Sequence, residues 1–334
     1  MDTFMNTQII CTLGPASYKN KILEKLKKEG VDIFRINLSH TPKEDIEKKI
    51  LYLKKKVKKI CIDTEGAQIR VTDVKKKIFF KKNRIIKIKC GKKISGNNQI
   101  FLSPYFDLFQ INKGTNINIG FENLTVTVIK KSRLKDCLYG IVKNSGYLES
   151  RKGVHIDQKI KLSCVSEKDI YAMKLGLKHK INTYAISFVN SHKDLILIKK
   201  ILGHDKKIIS KIETLSAIKD LKKISKLSNF LLIDRGDLSR YIPIEKIPQA
   251  QEYILRKSNE YKIPTFVATN LLETMISENL PTRAESNDIY SSLKSGASGL
   301  VLAAETAIGN YPIECVKFLK RCILSFRDRK KFYK

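Results

Sequence analysis

The chain alternates between short, continuous apolar runs and longer stretches in which apolar residues recur every three or four positions. The runs are Gln8–Thr12, Ile33–Asn37, Lys59–Asp63, Thr183–Ser187, Lys207–Lys211, Leu231–Asp234, Pro264–Ala268 and Gly299–Ala303. Val, Ile and Leu in unbroken runs suit strands buried on both faces of a parallel sheet. Between the runs, Tyr18–Glu29 places Ile22, Leu23 and Leu26 on one helical face, and Leu195–Leu202 and Leu221–Leu227 read the same way. Pro312 suits the first turn of a last helix running to about Arg327. Eight strand–helix units in succession predict an α/β fold, a (β/α)8 barrel of the TIM type.

One stretch breaks the rhythm. From Val71 to Val154 the period shortens to two, in KKKIFFKK, RIIKIKC, TNINIG, LTVTVIKK and LYGIVKN, punctuated by Gly91, Gly96, Gly114, Gly120 and Gly140. This predicts a small all-β domain inserted after the third barrel strand. The expected division is 1–70 for the first part of the barrel, 71–154 for the insert and 155–334 for the rest of the barrel. Without the insert about 250 residues remain, the usual size of such a barrel. Active sites of this fold sit at the C-terminal ends of the strands. The polar residues that close the runs are therefore expected on one rim: Asn37, Ser39, Asp63, Thr64, Lys211, Glu213, Asp237, Thr269 and Glu305. Hydroxyl, carboxylate and ammonium groups together suit hard cations and phosphate.

Charge changes this picture little. The formal net charge is +32, from 65 Lys+Arg against 33 Asp+Glu. So basic a chain can attract nucleic acid, anionic membrane or phosphorylated small molecules. The excess is mostly lysine, scattered rather than clustered, and a composition bias accounts for it as well as a binding surface does. With no zinc-finger, RNP or KH-type motif beside it, nucleic acid is not an expected partner. The seven cysteines are odd in number and none are spaced as CxxC, so neither a disulfide framework nor a zinc site is expected. No apolar run reaches the ~18–20 residues that span a bilayer, and MDTFMNTQII lacks the basic-then-apolar order of a signal peptide. A cytoplasmic location without membrane partners is the expectation.

Ten segments then share one resemblance. CTLGPAS (Cys11–Ser17), RINLSH (Arg35–His40), IDTEGAQIR (Ile62–Arg70), RKGV (Arg151–Val154), VSEKD (Val165–Asp169), ISKIE (Ile209–Glu213), DRGDL (Asp234–Leu238), VATNLLETM (Val267–Met275), LPTRAE (Leu280–Glu285) and AAETAIGNYP (Ala303–Pro312) each resemble a segment of the pyruvate kinase family, in order and at barrel-strand spacings. The resemblance implies transfer of the phosphoryl group of phosphoenolpyruvate to ADP, a reaction that needs positioning and charge neutralisation. It implies Mg2+ on Glu213 and Asp237, and K+ on Asn37, Ser39, Asp63 and Thr64. It makes Arg35 and Lys211 the partners of the phosphoryl group, and Thr269 the residue that helps deliver a proton to the enolate carbon. Backbone N–H groups of Gly236 and Asp237 would hold the substrate carboxylate. Asn37, His40 and Arg70 would meet the nucleotide, with Lys152 closing over ADP from the insert. The resemblance further implies a short form without the family's C-terminal allosteric domain, as a monomer or a small homo-oligomer.

The chain also departs from the family pattern. Glu65 stands in place of lysine, Ala67 and Gln68 in place of proline and glutamate, Asn190 near an arginine, Ala303 and Ala304 in place of Ser-Gly, and Ile308 in place of lysine. The insert's Asp-Asp-Gly is not recognisable around Gly120–Glu122. Asp234 replaces an alanine beside the expected metal, where the extra carboxylate either repels phosphate or joins the metal's ligands. These changes support an alternative: a degenerate, non-catalytic relative that binds metabolites or anionic partners.

Overall fold

The apolar runs form strands within two residues of their expected bounds. The computed structural model describes residues 7–329 apart from 67, 121–123, 159 and 161; Ala67 and Glu122, two of the positions weighed above, lie outside the described residues. The first three strands are β1 (Gln8–Leu13), β2 (Ile33–Asn37) and β3 (Ile60–Asp63), with helices α1 (Asn20–Lys28) and α2 (Ile46–Lys54) between them. Nine strands of the insert follow, β4 (Arg70–Val71), β5 (Ile78–Phe80), β6 (Ile85–Cys90), β7 (Gln99–Ser103), β8 (Asn116–Ile119), β9 (Leu124–Ser132), β10 (Cys137–Asn144), β11 (Gly146–Leu148) and β12 (Val154–Ile156). The chain then runs through α3 (Glu167–Lys178), β13 (Thr183–Ile186), α4 (His192–Leu202), β14 (Lys207–Ile212), α5 (Leu215–Lys219), α6 (Leu221–Leu227) and β15 (Phe230–Asp234). It ends with α7 (Arg235–Leu238), α8 (Ile247–Glu260), β16 (Thr265–Ala268), α9 (Arg283–Lys294), β17 (Gly299–Leu302), α10 (Ala304–Ala307) and α11 (Pro312–Arg327).

β1, β2, β3 and β13–β17 close into a barrel in the order β1-β17-β16-β15-β14-β13-β3-β2, every pairing parallel. Its interior is filled by Ile10, Ile33, Cys61, Ala185, Ile209, Leu232, Phe266, Ala268 and Val301, all buried. Closure joins distant sequence. Gln8–Cys11 register with Gly299–Leu302, Thr12 Oγ1 donates to Leu302 O at 2.9 Å, and Thr306 Oγ1 donates to Thr12 O at 2.9 Å. At that seam Gly14 is required by space, since a Cβ there would stand 2.4 Å from Ala307 O.

The insert is a separate compact unit, Ala67–Ser166. That is wider than the 71–154 expected from the pattern, by a few residues at the front and a dozen at the back. At the front, β4 pairs with β7; at the back, β12 pairs with β8, and Asp157 N–H continues the ladder to Asn116 O at 3.0 Å. The unit holds a seven-stranded sheet, β12-β8-β9-β10-β6-β7-β4, and the two-stranded pair β11-β5. Alternation decides its packing: in β9, Leu124, Val126 and Val128 are buried while Thr125 and Thr127 are partly exposed.

Candidate active site

The rim of the barrel is built by continuing its interior rows. Residues two apart on a strand share a face. Two residues beyond the interior residues Ile33, Cys61, Ala185, Ile209 and Leu232 stand Arg35, Asp63, Ser187, Lys211 and Asp234. An apolar plug thus becomes a ring of charge within one pleat. Register sets their neighbours: Asn37 opposes Asp63 across β2 and β3, and Lys211 opposes Leu232, two positions before Asp234, across β14 and β15.

Lys211 is the hub. It is 5% exposed, and its Nζ lies 2.8 Å from Glu213 Oε1, 3.1 Å from Asp234 Oδ2 and 3.7 Å from Asp63 Oδ1, while donating to Ser187 Oγ at 3.1 Å. Burial alone disfavours an ammonium, but Asp63, Glu213, Asp234 and Asp237 outweigh it and raise the Lys211 pKa well above its ordinary value. Lys211 is therefore charged at neutral pH. Burial pushes the Glu213 carboxyl up; Lys211 draws it down, and Asp237 and Asp234 push it further up. Burial also acts to raise Asp234, yet Lys211 and Arg35 hold its carboxyl below the ordinary range.

Around the hub the side chains are held in place. Arg35, 4% exposed, donates from Nε to Thr12 Oγ1 at 2.8 Å and from Nη1 to Asp63 Oδ2 at 3.1 Å. Glu213 Oε2 accepts the Phe188 N–H at 2.6 Å. Its Oε1 is buried and meets the Lys211 ammonium at 2.8 Å. Asp237 is partly exposed and pairs with Arg240 at 3.1 Å. Glu213, Asp234 and Asp237 each offer a carboxylate oxygen, and the three oxygens lie within 4.8 Å of one another. Carboxylates so close are chemically suited to a hard divalent cation.

Asn37, Ser39, Asp63 and Thr64 lie at the ends of β2 and β3, and each offers oxygen. Asn37 Oδ1 accepts the Ser39 N–H at 2.9 Å, capping the turn Leu38–His40 in which exposed His40 sits. Thr64 Oγ1 accepts the Ser187 N–H at 2.9 Å, and Thr64 O accepts from Ser187 Oγ at 2.6 Å.

Thr269 has φ 71°, a left-handed backbone that a β-branched residue adopts at a cost of about 1–3 kcal/mol. Arg235 holds it there. Its Nε donates to Ala268 O at 3.2 Å and Thr269 O at 3.1 Å, while Nη1 reaches both Asp288 carboxylate oxygens at 2.7 Å. The one proton of the Thr269 hydroxyl has two acceptors, Ala268 O and, at 3.3 Å, Asp234 Oδ1, and the hydroxyl oxygen accepts the Gly236 N–H at 3.0 Å. The Gly236 N–H, expected to meet a substrate carboxylate, is given to the Thr269 hydroxyl in this structure.

The other expected members have these partners. Glu305 is 1% exposed, but its oxygens accept the backbone N–H groups of Leu272 at 3.2 Å and Ala303 at 2.7 Å. Arg70 and Lys152 belong to the inserted unit, where Arg70 donates to Arg151 O at 3.0 Å and Lys152 pairs with Glu149 at 3.0 Å. Conversely, Thr12 and Ser187 were missed as rim residues. Each stands two positions beyond an interior apolar residue, Ile10 and Ala185, and that spacing was the available signal.

With this geometry in place, comparison with known proteins adds an independent line. The family model for the pyruvate kinase barrel domain matches residues 4–316. The chain belongs to the pyruvate kinase family. Among similar relatives, the pyruvate kinase of Thermotoga maritima is 34% identical over 98% of this chain and 72% of its own length. That of Methanocaldococcus jannaschii is 34% identical over 94% of this chain and 68% of its own length. That of Sporosarcina psychrophila is 31% identical over 96% of this chain, which spans only 56% of the relative. The family's barrel is the closed eight-stranded one described here, and no described helix is long and apolar enough to cross a membrane.

Proposed function

We propose that the protein transfers the phosphoryl group of phosphoenolpyruvate to ADP, giving pyruvate and ATP as a glycolytic step in the cytoplasm. The observation that carries this reading is the convergence of Lys211, Glu213 and Asp237, from two different strand ends, around one buried charge cluster. The transferred phosphoryl group carries spread negative charge, so its passage needs fixed positive charge rather than a protein nucleophile. Lys211 supplies one such charge, kept protonated by its carboxylates. Arg35 supplies a second, held by Thr12 and Asp63 so that no reorganisation is needed as the reaction proceeds. Mg2+ on Glu213 and Asp237 would add positive charge at the phosphate and enolate oxygens. Asn37, Ser39, Asp63 and Thr64 are an all-oxygen set suited to K+.

The product enolate needs a proton on carbon. The Thr269 hydroxyl would take that role; its clamped backbone and its bonds to Asp234 and the Gly236 N–H support this reading. A substrate carboxylate bound at the Gly236 and Asp237 N–H groups would compete for the Gly236 bond, linking substrate binding to release of the Thr269 hydroxyl. Asn37 and His40 are assigned to the nucleotide. The test is a coupled assay for pyruvate with phosphoenolpyruvate, ADP, Mg2+ and K+. Turnover that needs all four is the expected result. Folded protein that forms no pyruvate above background would sink the proposal.

A further inference from the structure

Glu213 owes its orientation in part to a backbone donor in the neighbouring turn, the Phe188 N–H at 2.6 Å. Phe188 has φ 52°, a left-handed backbone that an aromatic residue adopts only where its surroundings hold it there. On one side Ser187 is tied to Thr64, through its N–H at 2.9 Å and its hydroxyl at 2.6 Å. On the other stands Asn190, a departure from the family pattern to which phosphoryl transfer gives no role. Its Nδ2 donates to Phe188 O at 3.0 Å, and its Oδ1 accepts from Thr214 Oγ1 at 3.0 Å. Phe188 O can only accept, so it is the amide nitrogen that faces it. The Thr214 oxygen is engaged by the Ala217 N–H at 3.2 Å at the start of α5, and its proton goes to Asn190. An arginine has no acceptor and could not take that proton. Thr214 follows Glu213 directly, so one amide bridges the turn after β13 and the turn after β14. That amide is placed in advance: the Asn190 and Ser191 N–H groups both donate to Asp194 Oδ2 at 2.8 Å, in the capping box of α4.

We propose that Asn190 is a positioning residue for Glu213: it fixes the left-handed Phe188 and, through the Phe188 N–H, the direction in which the Glu213 carboxylate points. This rests on the reading that Glu213 serves phosphoryl transfer. Asn190 acts at one remove, through the two turns it joins. Losing its Nδ2 donor frees Phe188 to return to an ordinary backbone, which takes the N–H away from Glu213 Oε2. Lys211 then remains on Oε1 at 2.8 Å, and the carboxylate turns about that single contact. Outer partners that orient a ligating side chain are worth about 10- to 100-fold in activity.

The test compares Asn190→Ala and Asn190→Asp in the full chain. Aspartate is isosteric and keeps an acceptor for Thr214, but it turns a second oxygen toward Phe188 O. Asn190 is exposed, so neither change opens a cavity, and circular dichroism checks the fold. The first readout needs no turnover. With serine carbonyls labelled with carbon-13 and phenylalanine amides with nitrogen-15, only Ser187–Phe188 and Ser325–Phe326 give a coupled signal, and Glu213→Gln tells the two apart by moving that of Phe188. Both Asn190 variants are expected to move the Phe188 signal as well. The second readout is pyruvate formation. kcat is expected to fall about 10-fold in both variants. Adding Asn190→Ala to Glu213→Gln is expected to change the remaining rate by less than about 2-fold, because the residue acts through Glu213. An unmoved Phe188 signal, an Asn190→Asp protein with wild-type kcat, or the same fold-loss in both backgrounds overturns the proposal. If the wild type forms no pyruvate, the phosphoryl-transfer reading falls, and the Phe188 signal by itself decides whether Asn190 orients Glu213.

Discussion

The barrel contains two kinds of buried carboxylate, and the contrast between them separates bracing from chemistry. Glu305 and Glu285 are used by the backbone. Glu305 takes the N–H groups of Leu272 and Ala303. Glu285 takes those of Thr274 at 2.7 Å and Thr282 at 2.6 Å, closing a capping box at the start of α9. Their negative charge is met by fixed local dipoles, and they tie loops to the strand ends. Asp63, Glu213, Asp234 and Asp237 instead share three side-chain cations, Lys211, Arg35 and Arg240. A carboxylate saturated by amides has no capacity left for a ligand. Carboxylates that outnumber their cations retain it.

Substitutions sharpen or break that contrast. The largest effect is expected for Lys211→Met, which leaves the carboxylates without their shared cation. Pyruvate formation should fall on the order of 10²-fold or more, and stability in urea by about 3–5 kcal/mol. A folded Lys211→Met protein with wild-type turnover would remove Lys211 from the chemistry. Next, Glu213→Gln and Glu305→Gln form a matched pair of buried, isosteric changes. Glu213→Gln should also lower the rate on the order of 10²-fold. Glu305→Gln should cost about 1–3 kcal/mol, because an amide cannot accept both backbone N–H groups, while turnover per folded molecule stays at the wild-type level. If the two swapped outcomes, the division drawn here would be wrong.

The smallest effect concerns pH. Burial acts to raise the Glu285 carboxyl, but the Thr282 and Thr274 N–H groups outweigh it and hold it below its ordinary value of 4.5. A depressed carboxyl stabilises the fold above its unfolded pKa and loses that contribution as pH falls through the folded one. The stability difference between wild type and Glu285→Gln should therefore be constant from pH 7 to about pH 5 and shrink on further acidification. A gap in urea midpoints that stays unchanged down to pH 3 would contradict this.

Much of the barrel was legible in sequence because its strands are buried on both faces, so each appears as an unbroken apolar run. Lys211, Glu213 and Asp63 were legible as polar residues ending such runs. The insert's limits were not, since residues 157–166 carry no period-two pattern to mark where the β unit stops. The double contact of Asp234 with Lys211 and Thr269 depends on neighbouring strands and has no local signature. Thr269 was readable as a residue but not as a conformation: a β-branched side chain argues against φ 71°, and only the Arg235 clamp, 34 residues earlier in the chain, overrides that preference. Glu65, a departure from the family pattern, finds its answer in Lys168, whose ammonium lies 3.0 Å away.

The seam between β1 and β17 has a consequence for biosynthesis. Its hydrogen bonds join residues 290 and 294 positions apart. A growing chain that has not yet delivered Gly299–Thr306 to the outside of the ribosome leaves the edges of β1 and β16 without their common neighbour. Such edges invite pairing with other chains. Ring closure therefore waits until the eighth strand has emerged, however much of the rest has already folded.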